Sequence, residues 1–270
     1  MMRSLWTAAS GMTSQQTNVD TIANNLANVN TVGYKKESAE FKTLLYQTIQ
    51  DTTTDSNGDP KPTSAQVGLG VRNSAIATHY TQGSLQETGN TYDFALQGSG
   101  FFMVQMADGS VSYTRSGSFN LSMGSEGMVL ATSSGNPVLD VNGKAITFGP
   151  EYDTAKLSVD ANGNFCYPDE KNNATPIGIT IGVAQFNNPA GLMKTSDSIV
   201  KETDASGEAV WGVNAAANPN VSIKQGYLES SNVQTADEMV NLIVAQRAYE
   251  MNSKIIKASD EMLQQANNLR

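Results

Sequence analysis

LWTAASGMTSQQTNVDTIANNLANV, residues 5–29, is the stretch whose reading decides the fold. Within it Leu5, Ala8, Met12, Gln15, Val19, Ile22, Leu26 and Val29 alternate spacings of three and four, the a/d repeat of a coiled coil with one polar interruption at Gln15. Most other positions, among them Thr7, Ser10, Thr13, Ser14, Gln16, Thr17, Asn18, Thr21, Asn24 and Asn25, are polar but uncharged, and between Ser4 and Tyr34 only Asp20 is ionised. A surface helix ordinarily carries Lys and Glu outward. Neutral amides and hydroxyls suit a face that packs and must still satisfy its hydrogen bonds. The reading is a helix buried on most sides in an assembly, ending in the turn-forming run Asn28 to Gly33.

The other end of the chain repeats the pattern. Ala245, Ala248, Asn252, Ile255, Ser259, Met262, Ala266 and Leu269 form one row, and Met239, Leu242, Gln246, Tyr249, Ser253, Ile256, Asp260 and Leu263 run beside it. A helix with two seams has two neighbours. Thr235-Ala236-Asp237-Glu238 reads as a capping box opening this helix, which at 1.5 Å per residue would be about 50 Å long. The expected assembly interface is Leu5, Met12, Val19, Ile22, Leu26, Val29, Met239, Leu242, Tyr249, Ile255, Ile256, Met262, Leu263 and Leu269.

Between the helices the pattern is β. Phe41 to Ile49 reads as a short helix or strand, and Asp51 to Gln66, rich in Thr, Ser, Asp and Pro, as a loop or extended arm. Asp108-Gly109, Asn142-Gly143 and Asn162-Gly163 each separate two strand-like runs and mark hairpins of the primed-turn type. Ile177, Ile179, Ile181 and Val183 alternate with small residues and predict one strand with a heavily buried face. The fold class is α+β: long N- and C-terminal coiled-coil helices flanking a mainly antiparallel β domain. The expected division is 1–34 for the N-terminal helix, 35–66 for an arm, 67–221 for the β domain and 222–270 for the C-terminal helix with its lead-in.

Charge divides the chain the same way. The net charge is -9, and Lys35 to Thr235 holds 12 Lys/Arg against 20 Asp/Glu, leaving the two helices nearly neutral. An acidic middle argues against nucleic acid, and neutral ends let copies approach one another. The first residues lack the pattern of a cleaved secretory signal, and no apolar run approaches the ~18 residues of a membrane helix.

Little in the sequence points to catalysis, a metal or a cofactor, and none is expected. His79 is the only histidine and nothing near it marks a nucleophile, while Cys166 reads as a small buried hydrophobe. Asp160-Ala-Asn162-Gly-Asn164 opens like a calcium loop but has Phe165 at the sixth position and Lys171 at the twelfth. Gly98-Ser-Gly100 lacks the third glycine of a dinucleotide fingerprint and reads as a tight bend between strands.

Asn24-Asn25-Leu26-Ala27-Asn28-Val29-Asn30-Thr31-Val32-Gly33-Tyr34-Lys35 resembles the N-terminal signature of flagellar basal-body rod and hook proteins. Gly83 to Asn90, Gly98-Ser-Gly-Phe-Phe102 and Tyr113-Thr-Arg115-Ser-Gly117-Ser-Phe119 are similar to that family's central motifs. Gln225-Gly226-Tyr227-Leu228-Glu229-Ser230-Ser231-Asn232-Val233 and Gln246-Arg247-Ala248-Tyr249-Glu250 are similar to its C-terminal signature. The length and the ending Ala258 to Leu269 look most like its distal-rod branch.

The resemblance implies a structural subunit, exported by the flagellar type III apparatus without a cleaved signal. Its terminal helices would line a hollow helical tube that carries motor torque to the hook, with the β domain facing outward. Partners would be further copies, other rod subunits, the hook protein and, where an outer membrane is present, bushing rings. Two alternatives stand beside this reading: a hook or proximal-rod subunit, or a carbohydrate-binding or enzymatic β domain using Tyr92, Asp93, Tyr113 and Arg115.

Overall fold

The computed structural model describes residues 2–50, 65–124, 127–149, 151–169, 173–212 and 221–268. Most of the Asp51 to Gln66 stretch of the expected arm, residues 51–64, and the seam residue Leu269 lie outside that range. The chain forms two compact units, one of Met1–Ala27, Glu37–Thr78 and Gln234–Arg270, the other of Asn28–Lys36 and His79–Val233. Among the described residues no helix is long and apolar enough to cross a membrane.

The first unit holds helix α1 (Met2–Ala27), strands β1 (Glu37–Thr43), β2 (Tyr46–Gln50), β3 (Ala65–Gly68) and β4 (Val71–Thr78), and helix α2 (Thr235–Asn268). The helices run antiparallel in heptad steps. Ser4 and Ser259 hydroxyls meet at 3.4 Å, the Asn252 amide lies 2.9 Å from where a Cβ on Gly11 would stand, and Asn25 reaches Glu238 at 3.1 Å. The partners advance by seven and then fourteen residues on each helix, so no register slips over the length of the pair.

On α2 the inward line is Glu238, Leu242, Ala245, Tyr249, Asn252, Ile256, Ser259 and Leu263, all buried or half-buried. It takes alternate members from the two rows expected from the sequence, because one straight helix face runs between them. The neutral face of α1 has a use inside the chain. Ser10 Oγ accepts the Val71 amide at 3.3 Å, and Thr17 Oγ1 accepts from Asn73 at 2.6 Å, so hydroxyls on α1 seat the antiparallel β1–β4 pair. At Gly70, with φ +116°, any Cβ would stand 2.2 Å from Ser10 Oγ. Phe41 to Ile49 divides between β1 and β2, and β2 pairs with β3. Val67 to Thr78, expected at the start of the β domain, lie in this unit.

The second unit contains β5 (Leu85–Glu87), β6 (Phe94–Gln97), β7 (Phe101–Gln105), β8 (Val111–Thr114), β9 (Phe119–Met123), β10 (Met128–Thr132), β11 (Thr147–Phe148), β12 (Ser158–Val159), β13 (Asn164–Pro168) and β14 (Ala174–Thr180). It continues with β15 (Val183–Gln185), β16 (Met193–Lys194), β17 (Ile199–Lys201), β18 (Val210–Trp211), β19 (Ser222–Gln225) and β20 (Tyr227–Glu229). Paired strands are antiparallel, and the largest sheet has the order β16-β17-β8-β7-β15-β18.

Strand β7 is buried on both faces, which explains its unbroken apolar run. Phe102 and Val104 enter one core with Phe94, Phe119, Phe165 and Ile181, while Phe101 and Met103 enter another with Tyr113, Leu139 and Val200. The hairpin glycines behave as their turns demand: Gly109, Gly143 and Gly163 have φ near +80° and join or bridge the segments on either side. The run Ile177 to Val183, expected as one strand, is split between β14 and β15 in separate sheets. Gly182 is the reason: a Cβ there would lie 2.6 Å from the Leu139 carbonyl, so the chain presses against a crossing backbone instead of continuing its ladder.

Candidate functional site

The surface that distinguishes this chain is the outward side of the helical unit. Val240, Ile243, Val244, Met251, Ile255 and Met262 stand about half exposed along α2, from Ile255 at 47% to Val244 at 61%. Trp6 on α1 is 73% exposed. A soluble monomer does not usually present so many large apolar side chains on one helix; such a stripe marks an interaction surface.

The expected interface residues therefore separate into groups. Leu5, Met12, Val19 and Leu26 are half-buried and Ile22 is buried on α1; Leu242, Tyr249, Ile256 and Leu263 are half-buried on α2. Met239, Ile255 and Met262 face outward, and Val29 is half-buried in the second unit just beyond α1. Sequence reasoning missed Trp6, Val240, Ile243, Val244 and Met251. The signal was present, since 240, 244, 251, 255 and 262 keep heptad spacing, but only Ile255 and Met262 of it fell in a chosen row and the rest lay on that row's outer flank.

The asparagine-rich signature serves several jobs. Asn25 is fully buried: its amide donates to the Glu37 carbonyl at 2.7 Å and to Glu238 at 3.1 Å, and its oxygen accepts the Glu37 amide at 2.9 Å. One side chain thus ties α1 to β1 and to the first turn of α2. Asn24 reaches the Glu37 carboxylate at 3.5 Å, Asn28 accepts from Thr31 at 3.0 Å, and Asn30 is exposed. Replacing Asn25 by Ala should cost about 2 kcal/mol, because the Glu37 amide and carbonyl lose a buried partner. Hydrogen exchange at Glu37 reads it directly, and an unchanged rate would remove Asn25 from this role.

The rest of the signature converges with two other motifs inside the second unit. Glu229 is 1% exposed; one carboxylate oxygen accepts from Lys35 Nζ at 2.6 Å and from the Gly83 amide at 2.8 Å, the other from Arg115 Nε at 2.6 Å. Arg115 spends its remaining donors on the carbonyls of Leu96, Gly98 and Gly100, the tight bend between β6 and β7. Burial pulls the Lys35 amine below its ordinary range against the opposing pull of Glu229. Gly33, with φ +69°, donates its amide to the Glu229 carbonyl at 2.8 Å, and a Cβ there would stand 2.7 Å from Arg115 backbone. Asn232 accepts the Lys36 amide at 2.7 Å and donates to the carbonyls of His79 and Thr81. Tyr34 receives the Lys194 amine over its ring at 5.8 Å. The motifs had announced themselves separately; that Lys35, Arg115 and Glu229 share one buried cluster was not readable from their spacing.

The residues weighed for a catalytic or sugar-binding cleft do not gather into one. Tyr92 donates to the Thr154 carbonyl at 2.5 Å, Asp93 accepts from Thr88 at 2.6 Å and Asn90 at 3.3 Å, Tyr113 is 2% exposed, and Arg115 is committed to Glu229. His79 is exposed, and Cys166 is buried beside β12. Among the described residues no group of three or more His, Cys, Asp or Glu is placed to hold a metal.

Comparison with known proteins matches both ends and the middle. Residues 5–35 match the family described as flagella basal body rod protein, residues 95–167 the flagellar hook protein FlgE/F/G D1 domain, and residues 224–269 the flagellar basal body rod FlgEFG protein C-terminal. The chain is 44% identical to the flagellar basal-body rod protein FlgG of Borreliella burgdorferi, over 100% of this chain and 99% of the relative. It is 41% identical to that of Agrobacterium fabrum over 97% of each, and 38% identical to that of Bacillus subtilis over the full length of both.

Proposed function

The chain belongs to the flagellar basal-body rod family and is a structural subunit of the distal rod, and from that premise we propose that it polymerises through the outward stripe of α2 together with the exposed end of α1. The observation that carries the proposal is the stripe itself. Within one chain the inward line of α2 is matched to α1, while Val240, Val244, Met251, Ile255 and Met262 leave about half of their surface in solvent among the described residues. A second copy laying a helix there would bury them with heptad, coiled-coil geometry and build a hollow helical tube. Interlocked helices with several neighbours resist twisting, because close-packed interfaces do not deform continuously; that is the stiffness a torque-carrying shaft needs.

Other rod subunits and the hook protein would meet the ends of such a tube, bushing rings its outside, and the type III apparatus would export the chain. The purified chain, concentrated until it polymerises, should give straight tubes with a lumen in electron micrographs. Curved tubes would place it with hook subunits, and failure of any helical polymer to form would leave the stripe without its proposed partner.

A further inference from the structure

We propose that the second unit carries a neutral saccharide-binding cleft at the end of its six-stranded sheet, a role separate from assembly and resting on different residues. The cleft, about 570 Å³, is lined chiefly by Val111, Tyr113, Lys201, Glu202, Glu208 and Trp211. Trp211 lies on the edge strand β18, is 42% exposed and joins neither core cluster. A Cβ at Gly143 would stand 3.6 Å from the outer edge of its six-membered ring, so the glycine turn leaves room for the indole there. An indole on an edge strand and open to a cleft offers a flat apolar face that a ligand can cover.

The polar rim selects what can lie on that platform. Tyr113 stands 3.4 Å from Glu202, and burial, then the Glu202 charge, push its hydroxyl up to about 12, so it remains a protonated donor at any physiological pH. Glu202 and Glu208 are exposed acceptors. The Lys201 amine, 3.6 Å from Asp108 and 3.4 Å from Ser110 Oγ, supplies a donor on the same wall. Phosphates and other anions would meet two carboxylates. A cationic side chain would pair with the carboxylates but be repelled by the Lys201 ammonium and leave it no acceptor in the ligand. A purely apolar ligand would strip water from the rim and return no hydrogen bonds. A pyranose ring fits each condition: its axial C–H face covers the indole, and its hydroxyls both donate to carboxylates and accept from Lys201, while Tyr113 donates to Glu202 and holds that carboxylate in place. The sequence had pointed to Tyr92, Asp93, Tyr113 and Arg115 for such chemistry; only Tyr113 lines this cleft.

The test uses the full-length monomer, whose two tryptophans give two indole N–H signals. Titration with triacetylchitotriose and with maltotriose should move the Trp211 signal saturably for at least one, with a Kd of roughly 1–10 mM, and leave Trp6 in place. Trp211→Ala should weaken that binding at least about tenfold at a temperature where the variant is still folded, Trp211→Tyr should restore part of it, and Glu208→Gln, an exposed position, should weaken it several-fold without shifting the melting temperature. Absence of a saturable shift up to about 20 mM of either sugar overturns the proposal. So does a Trp211 signal that responds to N-acetylarginine amide at lower concentration than to either sugar, which would assign the cleft to a cationic protein partner. Tube formation is read separately, and neither result alters the other.

Discussion

Replacing Glu229 by Gln is expected to unfold the β unit at temperatures where the wild type is intact. The amide retains one acceptor but turns an N–H₂ donor toward either Lys35 or Arg115, so a buried cation loses its counter-charge and faces a donor instead. Breaking a buried ion pair from one side costs roughly 3–5 kcal/mol, a large part of the 5–15 kcal/mol that holds a whole domain. The melting midpoint should fall by about 10 °C or more. Lys35→Met is the informative contrast. Arg115 still neutralises Glu229, Gly83 still donates to it, and the Thr81 carbonyl keeps the Asn232 amide. Desolvation dominates the lowered value of the Lys35 amine, so removing that charge relieves a penalty and should cost no more than about 1–2 kcal/mol. If Glu229→Gln melts within about 2 °C of the wild type, or if the two variants are equally damaged, the cluster is not organised around the carboxylate.

That asymmetry explains why the family signature was easy to see and hard to interpret. Gly33, Lys35, Arg115 and Glu229 sit in strings conspicuous for their residue types, yet a sequence gives no distance between position 35 and position 229. Helix periodicity, by contrast, is local, and α1 and α2 were legible to within a few residues. What periodicity could not settle was phase. Two adjacent apolar rows on α2 each satisfied the spacing of three and four, and only the presence of α1 fixes the line of Leu242, Ala245, Tyr249 and Asn252 as the inward one. The glycine-bearing turns were readable because φ near +80° is a chemical demand at the site itself. The division of Ile177 to Val183 was not, because it comes from Leu139, a residue on a separate segment that crosses at Gly182.

Ile255 and Ile256 turn this question of phase into an experiment, since adjacent isoleucines on one helix should give opposite phenotypes when each is changed to lysine. Ile255 is 47% exposed in the single chain, so Ile255→Lys leaves the monomer's helix content and melting temperature unchanged; lysine is a good helix former and its amine stays in water. In the proposed polymer the same position would be covered in every copy, and an ammonium buried without a partner costs several kcal/mol each time. Tubes should not form, and cells carrying the variant should not swim. Ile256 lies on the inward line with Tyr249, Asn252 and Ser259, so Ile256→Lys should loosen the α1–α2 pair in the monomer itself and lower its helical signal at a given temperature. Lys257→Gln, an exposed neighbour, should behave as wild type in both assays. Wild-type swimming and straight tubes from Ile255→Lys would mean that the outward stripe is not the surface between copies. An unperturbed monomer from Ile256→Lys would mean that the antiparallel pair is not what orders the helices before assembly.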